Sequence, residues 1–99
     1  MIKHIVMFKM KGETLAEKNT NIRVMKEFLE NLPSKITEIK DYEVGINISQ
    51  ASSAMDMVLY STFENNENLN TYRDHPEHKK ILDFLHDICE GVKVVDYKI

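Results

Sequence analysis

The opening segment Ile2-Lys3-His4-Ile5-Val6-Met7-Phe8-Lys9-Met10 is rich in β-branched and aromatic residues and is apolar on both faces at its centre. Successive side chains of a strand point to opposite sides. Ile2, His4, Val6, Phe8 and Met10 therefore share one face, and Ile5 and Met7 occupy the other. A strand with one wet face would alternate apolar with polar residues, so this one asks for cover on both sides of its sheet. The chain has 99 residues, 42% of them hydrophobic, which suits a single domain over 1–99. A domain of this size buries only about two-thirds of the surface its unfolded chain exposes, so association with a second copy adds stability.

The remaining pattern supplies cover for one face only. Thr14-Leu15-Ala16-Glu17 reads as a capping box, and Ile22, Met25, Leu29 and Leu32 recur at helical spacing before Pro33, which predicts a helix over 14–32. A second strand is expected over 39–48, with Tyr42, Val44, Ile46 and Ile48 on one face and Gly45 marking a bulge. The small polar loop Ser49-Gln50-Ala51-Ser52-Ser53 leads to a third strand over 56–63, with Met57, Leu59 and Phe63 facing one way and Val58 and Tyr60 the other. A short helical stretch opens at Glu64-Asn65-Asn66-Glu67 and runs to Tyr72. Pro76, in its favoured first-turn position, restarts a helix whose expected buried stripe is Ile81, Leu82, Leu85, Ile88 and Cys89, with Gly91 as its C-terminal cap. Residues 92–99 form the final strand, with Val94 and Val95 on opposite faces.

The order is thus an α+β, ferredoxin-like βαββαβ arrangement with a four-stranded antiparallel sheet and helices on one face. The other face would be left as an exposed apolar patch. Two chains pairing into a dimeric α+β barrel, a homodimer, is the simplest cover.

Several partners are disfavoured by composition. Thirteen basic against 16 acidic residues give a net charge of −3, and the longest Lys/Arg run is Lys79-Lys80, so no nucleic-acid partner is expected. Cys89 is the sole cysteine, which points to a reducing compartment and a buried structural thiol. The N-terminal residues contain no long apolar core with a small-residue cleavage site, and no stretch approaches a membrane span, so a cytoplasmic protein without a membrane partner is expected. No Gly-rich phosphate loop, serine-nucleophile motif or paired-carboxylate pattern occurs, and no cofactor is expected. His75, His78 and His86 invite a metal reading, but His75 precedes Pro76 and should lie outside the helix, leaving too few converging ligands; no metal is expected.

The opening Ile2–Lys9 segment, Ser61-Thr62-Phe63-Glu64, the closing Val95-Asp96-Tyr97 and above all Tyr72-Arg73-Asp74-His75-Pro76-Glu77-His78 carry a resemblance over nearly the whole chain. In these motifs the sequence resembles the stress-responsive A/B barrel domain (Dabb) family of small dimeric α+β barrel proteins. The resemblance implies the paired barrel; for activity it implies little, since most members have no assigned reaction. Plant polyketide cyclases of the family close a linear oxo-acid by aldol condensation without a cofactor, using a tyrosine and a histidine. By motif position these are Tyr72 and His78, and a first-strand histidine of the family is matched by His4. Where those cyclases have a further histidine early in the third strand, this chain has Met57.

Each candidate has a functional and a structural reading. His78 should sit near the start of the last helix on the face of Ile81, Leu82, Leu85 and Ile88, where burial and the helix N-terminus keep its imidazole neutral, as a general base requires; equally, it can pin the helix start. Tyr72 is either an oxyanion donor or an aromatic core residue. His4 is either a polar pocket group or a hydrogen-bonded core histidine. His75, held extended by Pro76, caps the helix or orders the turn. His4, His75 and Met57 are expected to line a pocket between sheet and helices that takes a small apolar or phenolic ligand, and the methionines suit varied apolar guests. A ligand-binding barrel, a cofactor-free cyclase or aldol-type enzyme, and a stress-linked structural protein all remain open on sequence.

Overall fold

The computed structural model describes residues 1–99. Its elements are β1 (Ile2–Met10), α1 (Leu15–Glu30), β2 (Ile39–Ile46), β3 (Met57–Phe63), α2 (Asn66–Asp74), α3 (Pro76–Ile88) and β4 (Cys89–Lys98). The strands form one antiparallel sheet in the order β2-β3-β1-β4, the ferredoxin-like arrangement. No helix is long and apolar enough to cross a membrane.

Local chemistry explains the element boundaries. Gly12 turns the chain out of β1 at φ 154°, a region hostile to L side chains. Thr14 then caps α1, its Oγ1 accepting from the Glu17 N–H at 3.1 Å, while the Glu17 carboxylate accepts from the Glu13 N–H, one residue before the cap. The helix ends at Glu30, earlier than Pro33 alone requires, because the Asn31 and Leu32 N–H groups close its last turn on Glu27 and Leu29. Ile22, Met25, Leu29, Leu32 and Ile36 pack from α1 and its exit onto Val6, Phe8, Met10, Leu59 and Phe63 of the sheet.

Four expectations need correction. Gly45 is not a bulge: it pairs regularly with Val58, and the register shift lies between Ile39 and Asp41. Gly91 does not cap a helix but sits in β4 opposite Lys9, because α3 ends in extended backbone at Cys89. Ile48 lies beyond β2 and is exposed. In α3 only Ile81 is buried, Leu82 is exposed, and Leu85 and Ile88 are half-buried, because a cavity rather than packed side chains lies beneath this helix.

The two sheet faces differ as the alternation of β1 requires. All three helices contribute core residues on the face of Val6, Phe8, Leu59 and Phe63. On the opposite face Met7, Val95 and Tyr97 are exposed, beside half-buried Ile5, Val58 and Tyr60.

Candidate active site

Strand register builds a polar row across an otherwise apolar face. Tyr42 of β2 stands opposite Ser61 of β3, Ser61 opposite His4 of β1, and His4 opposite Asp96 of β4. The next rows are Val44, Leu59, Val6 and Val94, then Ile46, Met57, Phe8 and Val92. Ser61 is fully buried and spends its hydroxyl on the His4 carbonyl. The His4 ring donates through Nδ1 to Asp96, whose other oxygen accepts from the Arg73 guanidinium.

The α2–α3 junction lies over this row. Asn65 caps α2 with its side chain, and the chain breaks at His75, which is extended as Pro76 demands. His75 is the N-cap of α3, its Nδ1 accepting from the Glu77 N–H at 3.1 Å. This junction sets Tyr72 at the end of one helix and His78 at the start of the next, with ring centroids 4.5 Å apart. Tyr72 is fully buried, its ring also edge-on to His4 and tilted against Phe63, and its hydroxyl is 2.8 Å from that of Tyr42. Burial pushes the Tyr72 phenol up to about 12 and drives Tyr42 upward as well, so both stay protonated at neutral pH.

A cavity of about 400 Å³ lies between α3 and the sheet. Its walls are mainly apolar, from Val6, Phe8, Leu59, Val92 and Val94 of the sheet, Leu29 of α1 and Ile81, Leu82 and Leu85 of α3; its polar lining is His4, Tyr72, Arg73 and His78. His78 Nδ1 lies 3.1 Å from the Arg73 carbonyl oxygen. A carbonyl only accepts, so Nδ1 carries the hydrogen and Nε2 keeps the lone pair. Burial lowers the His78 pKa, against the opposing pull of that hydrogen bond and with help from the Arg73 guanidinium, which leaves the ring neutral at pH 7.

The structure therefore brings His4, Tyr72 and His78 to one cavity and separates the other two candidates from it. His75 faces a shallow polar groove along α2 because its ring is committed to capping. Met57 is buried but lines a separate cleft with Met7, Ile46 and Met55, where β2 ends and β3 begins. Sequence reasoning missed Tyr42, Arg73 and Asp96 as partners of the site; for Asp96 the available signal was the break it makes in the apolar alternation after Val92 and Val94. No three His, Cys, Asp or Glu side chains converge as a metal-holding group.

Comparison with known proteins agrees with this architecture. A dimeric protein of unknown function with a ferredoxin-like fold from Bacteroides fragilis is 35% identical, over 99% of this chain and 95% of that one, with a TM-score of 0.88. A protein of Arabidopsis thaliana is 26% identical over 100% of this chain and 95% of its own, at a TM-score of 0.82. A hydroxynitrile lyase from Passiflora edulis, 19% identical over 99% and 92% of the two chains, shares the fold at a TM-score of 0.74. No curated protein matches the chain. The family model described as the stress responsive A/B barrel domain matches residues 2–99, from the first residue of β1 through the end of β4, and the chain belongs to that family.

Proposed function

We propose that the domain is a homodimer, paired through the helix-free face of its sheet, in which each copy's cavity binds a small, largely apolar carbonyl compound and promotes an aldol-type reaction without a cofactor. The pairing is supported by exposed Met7, Val95 and Tyr97 on that face and by the dimeric state of the Bacteroides fragilis relative.

The chemistry rests on one observation: the His78 imidazole, fixed by its Nδ1–H on the Arg73 carbonyl, lines an apolar cavity with Nε2 free, where burial favours the neutral ring. In this reading Nε2 takes a proton from the carbon beside the ligand's carbonyl, and the released electron pair forms an enolate. Charge collects on the carbonyl oxygen. A Tyr72 hydroxyl that accepts from Tyr42 has its own proton left to donate there. Apolar walls strengthen both interactions by excluding water.

Deuterium wash-in at the α-carbon of a panel of apolar ketones and oxo-acids tests the reading. The parent should exchange at least one class of compound, and His78→Ala should slow exchange by about 10²–10⁴-fold, the usual worth of a general base, with Tyr72→Phe also slower and both variants dimeric. Equal exchange by parent and variants would contradict it. Ligand binding without turnover is the second reading, favoured by the apolar lining and by the contact of the Tyr72 hydroxyl with Tyr42; compounds that bind but never exchange would select it.

A further inference from the structure

Arg73 is joined to both imidazoles of the cavity. Its backbone carbonyl accepts from His78, and its guanidinium holds Asp96, which holds His4. A guanidinium only donates and a carboxylate only accepts, so the chain of hydrogen bonds has one direction: Arg73 and His4 Nδ1 both donate to Asp96. Arg73 already pairs with the Asp96 carboxylate, so Asp96 calls on the His4 ring only for its Nδ1–H. Nε2 of His4 is then a lone-pair acceptor without a protein partner. His4 is only 6% exposed, yet no fully buried side-chain nitrogen or oxygen in the protein lacks a partner. Nε2 must therefore reach open space, and the space that His4 lines is the cavity.

We propose that the Arg73–Asp96 pair is a positioning device that locks His4 in its Nδ1–H tautomer, so that its Nε2 selects ligands bearing a hydroxyl donor in addition to the carbonyl. The proposal rests on the reading of the cavity as a carbonyl-compound site and names the ligand class within it. A ligand lacking the donor leaves a nearly buried imidazole nitrogen unpaired, and discrimination by such a group exceeds what apolar contacts supply. Asp96→Asn should invert the selection. Arg73 can bond only to the amide oxygen, which leaves the amide NH₂ to donate to His4 Nδ1 and moves the ring hydrogen to Nε2.

The test pairs 4-hydroxyacetophenone with 4-methoxyacetophenone, with affinities from ligand titration and tautomers from ¹⁵N resonances of the histidine rings. The parent should bind the hydroxy compound about tenfold more tightly or better, the scale of one buried hydrogen bond, and show His4 as Nδ1–H. Asp96→Asn should bring the two affinities within about threefold or reverse them, and convert His4 to Nε2–H while His78 stays Nδ1–H. His4→Phe keeps the ring volume and removes the acceptor, so loss of the preference there carries the same conclusion if Asp96→Asn does not fold. Arg73→Lys keeps a cationic donor on Asp96 and should retain the preference. Equal binding of both ketones by the parent, or an Nε2–H tautomer of His4, overturns the proposal alone. Binding of neither overturns it together with the carbonyl reading.

Discussion

His78 and His4 show how one residue type takes different partners from its surroundings: a backbone carbonyl for His78, a carboxylate for His4. His78 owes its neutral state first to burial, and its orientation to a single backbone carbonyl. The α-carbon exchange rate should therefore rise from acid with a midpoint below the ordinary imidazole value of about 6.5, then stay level through neutral pH. A midpoint above that value would contradict the base assignment. Stability should move with pH in the same sense: the unfolded chain takes up the His78 proton first, so acidification below the unfolded value favours unfolding. Urea melts between pH 7 and pH 5 measure this, with the effect reduced in His78→Phe. The Tyr42–Tyr72 pair gives a second residue-scale prediction. Removing either hydroxyl strands the other in a mostly apolar site, at a cost of about 1–3 kcal/mol, whereas Tyr42→Phe with Tyr72→Phe should cost less than the sum. A double-mutant cycle in urea reads the coupling; additive effects would mean the hydroxyls do not depend on each other.

At the scale of elements, the turns decide where the site residues stand. A Cβ on Gly12 would lie 2.5 Å from the backbone nitrogen of Lys18 at a positive φ, so Gly12→Ala should cost about 1–3 kcal/mol or more in a urea melt, with no compensating gain. The parts of the fold that depend on near neighbours were legible in the sequence: the Thr14 cap, the α1 stripe, the alternation of β1 and β3, and the His75-Pro76 break that starts α3. Positions set by strand register were not. His4 and Asp96 are 92 residues apart and meet only because β1 pairs with β4 in one register, and Tyr42 reaches Tyr72 only because α2 crosses β2. Helical spacing likewise selected Leu82 and Leu85 as buried, since periodicity records which face looks inward and says nothing about whether that interior is filled.

For the whole molecule, the decisive fact is a sheet with apolar residues on both sides and helices on one. The helix side encloses a cavity; the other side carries Ile5, Met7, Val58, Tyr60, Val95 and Tyr97. Membership of the stress responsive A/B barrel domain family agrees with that architecture without assigning a reaction, since one fold hosts many sites. A charge placed amid the open face, Val95→Asp, should break the pairing and leave the cavity of each copy in place, seen as a single-chain mass with ketone binding retained. Sedimentation equilibrium of the parent at micromolar concentration is the direct test: the two-faced sheet predicts the mass of two chains, and the mass of one chain across that range would contradict it.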